Sequence, residues 1–278
     1  MHKLKAFFLI IRPSNFFITF FAVIIAGKIS SLNNQFEYSL IYAAFSMALA
    51  CSAGNIINDI YDVEIDKFNK PKRVLPNKLL TITAAKGFYI ILVLASLILA
   101  GTNGLNSFLF MIMVNTIIFL YSAVLKKLLF ISNITVAALT SSALLYGAML
   151  AENILAGLIP AVFAFLLNFI REIVKDMEDI KGDLYAGIIT FASKYGDRTS
   201  KKLIIVVSAV FFILTFIPFA YRIYKIEYFV IVMIFVNTLL FYSIKLLLND
   251  SAHKNLSKIS MLLKICMVMG IIAIYAGT

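Results

Sequence analysis

Two short acidic windows carry nine of the fourteen Asp and Glu residues of the chain. The first runs from Asn55 through Asp59, Asp62 and Glu64 to Asp66. The second runs from Arg171 and Glu172 through Lys175, Asp176, Glu178, Asp179 and Lys181 to Asp183. In each window the aspartates stand at i, i+3 and i+7, which places three carboxylates on one face of a helix. Like charges stacked in this way repel unless a doubly positive ion holds them together. Mg2+ takes hard oxygen ligands, commonly one or two carboxylates, and completes its shell with water and phosphate oxygens. Two such triplets facing each other, flanked by lysine and arginine, would clamp a diphosphate through metal bridges. Asn55 lies one turn before Asp59 and Glu172 one turn before Asp176, so the windows match across four positions. Glu64 and Glu178 fall off the aspartate face and read as solvated helix-end charges.

A bound diphosphate needs positive charge beyond the metal. Arg73, Lys126 and Lys127 are the best placed, with Lys67, Lys72, Lys175 and Lys194 behind them. Arginine grips phosphate oxygens through a planar fork, and lysine acts as a mobile point charge. Arg73 stands out because Pro71 and Pro76 restrain its loop, and Lys126 because it ends an apolar run that contains Tyr121. For Lys72, Lys86, Lys201 and Lys202 a plain topology signal is the simpler reading.

The elements that position these groups are read from hydropathy. The chain is 62% hydrophobic and 14% charged, with a mean hydropathy of +0.96 over 278 residues. A soluble protein of this length could not hide so much apolar surface, so the expected class is an all-α integral membrane protein. A window of about 19–20 residues yields nine spans, at 8–29, 38–58, 82–102, 105–124, 129–150, 154–174, 203–221, 226–247 and 258–277. All the lysines and arginines except Lys28, Arg222 and Lys225 fall on one side of this arrangement, which predicts a cytoplasmic N-terminus. Both acidic windows then lie on the cytoplasmic side, each followed by a basic loop. The repeated order predicts a single polytopic domain, 1–278, made of two four-helix halves, about 1–124 and 125–247, plus a ninth helix at 258–277.

Cys51 and Cys266 both lie in apolar runs and point to neither a disulfide framework nor a zinc site. The net charge of +11 is spread as punctuation between spans. It fits anionic membrane lipid and phosphorylated substrates, and no nucleic-acid partner is expected.

The segment Asn55 to Asp66, the Lys-Arg-Val-Leu-Pro that ends at Pro76, the Tyr121-Ser-x-x-Leu-Lys126 span end, the Arg171 to Asp183 window and the early Arg12-Pro13-x-Asn15 together resemble the UbiA superfamily of intramembrane prenyltransferases. The resemblance covers nearly the whole chain. It implies nine transmembrane helices around a central cavity and two aspartate-rich motifs that bind Mg2+-diphosphate. By position, Asn55, Asp59, Asp62 and Asp66 form the first motif, and Asp176, Asp179 and Asp183 the second. Asp176 and Asp179 remain alternatives as direct ligand, because many members with aromatic acceptors carry a denser acidic run there. Asp62, Asp66, Asp176 and Asp183 are the residues on which catalysis is expected to rest, and Arg73, Lys126, Lys127, Lys67 and Lys175 are the expected contacts of the diphosphate. Metal and basic residues would make the diphosphate a better leaving group, so that the allylic C–O bond ionises. An apolar, water-poor cavity would hold the carbocation until the acceptor captures it. Tyr61, Tyr121 and Tyr146 are candidates to stabilise that cation through their π faces, with plain packing the alternative for the last two.

Within the family, the Arg-Glu-Ile-x-Lys-Asp-x-Glu-Asp run followed by Gly-Asp and a later Lys-Tyr-Gly is most similar to archaeal members. Those members join geranylgeranyl diphosphate to geranylgeranylglyceryl phosphate, forming the second ether bond of archaeal membrane lipid. The acceptor would bring its own anion, for which Arg12, Lys3, Lys5 or Lys127, with Asn15 nearby, are candidates. An aromatic, quinone-precursor or tetrapyrrole acceptor is the alternative. An ion-coupled transporter is the distant one, since its carboxylates would sit inside spans rather than at their ends.

Overall fold

The computed structural model describes residues 2–31, 38–185, 187–250 and 252–278, with the side chains of His2 and Lys3 outside the description. The expectation for Lys3 therefore lies outside the described residues. In chain order the helices are α1 (His2–Ile10), α2 (Pro13–Ser30), α3 (Tyr38–Tyr61), α4 (Val63–Asn69), α5 (Ile82–Gly101) and α6 (Leu105–Ala123). A single tight turn at Leu125–Lys127 leads to α7 (Ile131–Leu150), α8 (Leu158–Tyr185) and α9 (Phe191–Ala220). The chain ends in α10 (Ile226–Ile231), a π-helical stretch (Val232–Asn237), α11 (Thr238–Asn249) and α12 (His253–Gly277). No strand occurs among the described residues.

Eight described helices are long and apolar enough to cross a membrane: α2, α3, α5, α6, α7, α9, the continuous run Ile226–Asn249, and α12. The protein is a multi-pass membrane protein. The span expected at 154–174 falls in α8, which is apolar in its first half but takes in Arg171, Glu172 and Lys175 further on and runs to Tyr185. The span expected at 8–29 is broken in two. Pro13 opens α2, and Arg12 before it takes a left-handed backbone with φ 53°. Proline disfavours helix in the residue that precedes it, so α1 and α2 meet at an elbow instead of fusing.

The described chain forms two compact units. The first holds the residues through Leu128 with Ser142–Gly157 and Lys181–Ile188. The second holds Leu129–Ser141, Leu158–Ile180 and the residues from Ile189 on.

In the first unit α3 packs against α2, α5 and α6. Ala6 and Ile10 of α1, Ala53 and Ile56 of α3, Ala85 and Leu92 of α5, and Val74, Leu75 and Leu80 share one buried cluster. The loop that carries Arg73 is thus fastened by its own apolar neighbours, Val74 and Leu75. Across the bilayer core the contacts are polar and small. Ser46 donates to the Ser96 carbonyl at 2.8 Å, and Ser107 and Tyr146 share a hydrogen bond of 2.6 Å. Small residues let transmembrane backbones approach closely, and Gly147 shows why. A Cβ there would lie 2.3 Å from the Val23 carbonyl oxygen and 2.9 Å from the Gly27 nitrogen. Both are backbone atoms and cannot swing aside. Gly147→Ala is expected to force α2 and α7 apart and to lower the thermal unfolding midpoint in detergent by about 2–12 °C, in keeping with an overpacking cost of 1–3 kcal/mol. An unchanged midpoint would rule out that close crossing.

In the second unit α9 begins with a capping box, Thr190 and Ser193 each bonding the other's backbone N–H. Pro218 lies inside the same helix. Near it Tyr228 donates to the Thr215 carbonyl at 2.9 Å, and Asn237, at the end of the π-helical stretch, donates to the Thr215 hydroxyl at 3.2 Å.

Candidate active site

The first acidic window straddles the joint between α3 and α4. Asp59 belongs to α3 and Asp66 to α4, while Asp62 sits at the break with φ −96° and ψ 5°. The backbone ladder nevertheless continues, with the Asp62 N–H on Asn58 O at 2.9 Å and the Asp66 N–H on Asp62 O at 2.8 Å. The three carboxylates therefore keep the common face that their spacing implies. They are only 3%, 5% and 3% exposed, and buried carboxylates need partners.

The partners come from three separate segments. Arg12 at the α1–α2 elbow donates to Asp59 Oδ1. Arg73 reaches from its loop to Asp66 Oδ2 at 2.5 Å and to Asp59 Oδ1 at 3.2 Å. Lys126 in the turn after α6 pairs with Asp62 Oδ2. Burial pushes the Asp66 carboxyl above the ordinary carboxylate range, and the nearby Arg73 charge offsets this only in part. Burial also works against the Arg73 charge, but Asp59 and Asp66 together outweigh it and hold the guanidinium above its usual value.

Asn58 is a neighbour that the i, i+3, i+7 frame overlooks. Its Nδ2 donates to Asp62 Oδ2 at 2.8 Å, and its Oδ1 is buried with no hydrogen-bond partner. The signal was available: Asn58, Asp62 and Asp66 are spaced by four, one helical turn each. Asn55 is engaged elsewhere, its Nδ2 donating to the Ile11 carbonyl at 3.1 Å and its Oδ1 accepting from Asn15 at 3.5 Å.

Among the described residues no three His, Cys, Asp or Glu side chains already converge as a metal cage. The donor set still suits a hard dication. Asp62 and Asp66 offer carboxylate oxygens, and the orphaned Asn58 oxygen is the kind of buried acceptor that a cation satisfies.

The second window lies along α8. In the second unit Asn133 of α7 donates to Asp176 Oδ2 at 2.9 Å. Nothing in the sequence marks Asn133, since it has no charge and no spacing relation to the window. Glu172, in the place equivalent to Asn55, is buried and takes Lys175 at 3.0 Å and Arg171 at 3.2 Å. Asp179 is half-buried, and Glu178 lies 3.9 Å from His253. Asp183 belongs to the last turn of α8, which is part of the first unit. There Gly182 lies against the Asn69 side chain, where a Cβ would come within 2.2 Å, and Tyr185 meets Phe68 at a ring distance of 4.2 Å. The last turn of α8 thus packs on α4, the helix that carries Asp66.

Of the remaining candidates, Lys67 pairs with Glu64 at 2.7 Å on an exposed face, and Lys127 is exposed. Tyr61 is 48% exposed at the end of α3, and Tyr121 is half-buried in α6. Tyr146 is fully buried, stacked on Phe110 at 5.0 Å and bonded to Ser107, so its ring face and hydroxyl are both taken up by packing.

A helical membrane protein with paired acidic windows and basic side chains set on one of them defines a class, and comparison with known proteins identifies it. Residues 15–266 match the UbiA prenyltransferase family, to which this chain belongs. It is a prenyltransferase. A digeranylgeranylglyceryl phosphate synthase from Methanosphaera stadtmanae is 31% identical over 268 residues, spanning 96% of this chain and 97% of the relative. A solved structure of digeranylgeranylglyceryl phosphate synthase in membranes is 32% identical, covers 100% of this chain and 99% of its own, and superposes with a TM-score of 0.74. A UbiA homologue from Archaeoglobus fulgidus bound to GPP and Mg2+ shares the fold, with a TM-score of 0.71 at 17% identity, over 97% of this chain and 99% of its own.

Proposed function

We propose that this enzyme transfers a geranylgeranyl group from geranylgeranyl diphosphate to geranylgeranylglyceryl phosphate, releasing diphosphate and forming the second ether bond of an archaeal membrane lipid. The observation that carries the reaction type is the buried set Asp59, Asp62 and Asp66 with Arg12, Arg73 and Lys126 on it. The acceptor is supported by full-length relatives that bear that synthase's name. In this reading the chain crosses the membrane nine times, with α8 as the sixth span, the N-terminus cytoplasmic and the site on the cytoplasmic side of the cell membrane.

Asp62 and Asp66 with the Asn58 oxygen, and Asp176, Asp179 and Asp183 in the second window, are the residues that would hold Mg2+. When bound, the ion neutralises the diphosphate and makes it a better leaving group. Arg73 and Lys126 then have a second anion to serve. Each carries a donor that now rests on an aspartate, and each can turn that donor to phosphate oxygen once the aspartate is taken up. Lys127 follows Lys126 directly in sequence, and Lys175, paired with Glu172 on α8, is a further candidate for the phosphate. The apolar helices keep water from the allylic cation, and Tyr61 and Tyr121 are the remaining aromatic candidates to face it.

A product assay on the purified protein tests this. With geranylgeranyl diphosphate and Mg2+ supplied, geranylgeranylglyceryl phosphate should be prenylated and 4-hydroxybenzoate should not. Turnover of the aromatic acid alone would replace the glyceryl phosphate acceptor with a quinone precursor.

A further inference from the structure

We infer that Asn55 and Asp59 are positioning residues that hold the arginines of the site, and that neither is a metal ligand. The inference rests on the Mg2+-diphosphate reading above and divides the labour within its first window. Asp59 uses one oxygen, Oδ1, to receive two guanidinium groups, from Arg12 and from Arg73. Asp59 thus carries two cations where Asp62 and Asp66 each carry one, so it has the least negative charge left to offer a dication. Asn55, one turn earlier on the same face of α3, bonds the Ile11 carbonyl at 3.1 Å and the Asn15 amide at 3.5 Å. It thereby fastens the chain on both sides of Arg12.

What Asn55 and Asp59 fasten is a strained joint. Arg12 holds a left-handed backbone, φ 53°, that a non-glycine residue seldom adopts unless its surroundings impose it. Its N–H bonds Leu9 O at 3.1 Å and its carbonyl accepts from Asn15 at 2.8 Å. The elbow therefore cannot slide away, and its guanidinium stays on Asp59. Arg73 is different because it bridges Asp59 and Asp66. If a dication takes Asp66, Arg73 loses one partner and remains anchored by the other, still at the site and free to turn a donor to phosphate. A plain stabilising salt bridge is a weak alternative, because a buried pair regains little more than its desolvation cost. It also leaves the bracketing of Arg12 by Asn55 unexplained.

The two roles separate in binding, without turnover. The probes are Mn2+ alone, followed by the paramagnetic signal of the free ion, and inorganic pyrophosphate titrated calorimetrically at saturating Mg2+. The protein is the full chain in detergent. Asp59→Asn should keep Mn2+ affinity within about twofold of the parent and weaken pyrophosphate binding by about tenfold or more, the size of losing an oriented charge-assisted hydrogen bond. Asp62→Asn should instead weaken Mn2+ by about tenfold or more on the same scale. Asn55→Ala should follow Asp59→Asn. Arg12→Gln reads the same link if Asp59→Asn does not fold, and should also cost pyrophosphate and spare Mn2+. Combined with Asp59→Asn it should add little, as expected of residues acting in one chain of contacts.

The inference is overturned if Asp59→Asn loses Mn2+ as Asp62→Asn does, if its pyrophosphate affinity matches the parent, or if the two losses simply add. A parent protein that binds neither Mn2+ nor pyrophosphate would sink the metal-diphosphate reading itself, a result distinct from all of these.

Discussion

Asp62→Asn is expected to lower kcat/KM for prenyl transfer by about a thousandfold, with the protein still folded. Asp62 stands at the break between α3 and α4 and meets both the Lys126 ammonium and the Asn58 amide. The substitution keeps the volume and a carbonyl oxygen but removes the charge. Loss of one preorganised electrostatic group in a water-poor site costs about 10²–10³ in rate, and here the same change also frees Lys126 from its anchor. Asparagine is a better probe than alanine, because an amide oxygen can still receive the half-buried lysine. Steady-state kinetics across a Mg2+ titration, with a melting curve on the same sample, would check this. A variant within about threefold of the parent would remove Asp62 from the machinery.

Stripping divalent metal with a chelator should take turnover down by about a thousandfold or more, and added Mg2+ should restore it. The structure adds a second expectation. Arg12, Arg73 and Lys126 already neutralise the three buried aspartates, so the metal-free protein should remain folded. Its stability should fall only by the linkage term that follows from metal binding to the native state, about 2.7 kcal/mol at a hundredfold excess over Kd. Thermal unfolding in chelator decides this, and wholesale unfolding on chelation would mean that the metal is structural. Turnover that survives chelation would mean that the carboxylates serve the arginines and lysine alone.

Much of this was legible in the sequence because it rests on local periodicity. Hydropathy places most of the helices, and the aspartate spacing survives the α3–α4 break because the hydrogen-bond ladder runs through Asp62. Arg73 and Lys126 were legible through their context, between prolines and at a span end. What was hidden depends on contacts distant in sequence. Asn133 meets Asp176 across 43 residues, with no pattern to announce it. Asn55 looks like a ligand by its face, but only the folded chain shows that its amide bonds Ile11 and Asn15. Tyr146 reads equally well as a site aromatic or a core one until Phe110 and Ser107 are found around it. The elbow at Arg12 was concealed because hydropathy does not register a change of backbone hand.

The pairing of Asp62 with Lys126 also bears on how the protein is made. The two residues are 64 positions apart. A ribosome adding about 5–20 residues per second leaves roughly 3–13 s between them. Throughout that interval α3 is complete, yet Asp62 at the break that follows it has no ammonium to meet, while Arg73 is only seven residues beyond its partner Asp66. The nascent chain therefore acquires its charge balance in two instalments, and the second arrives only with the turn that closes α6.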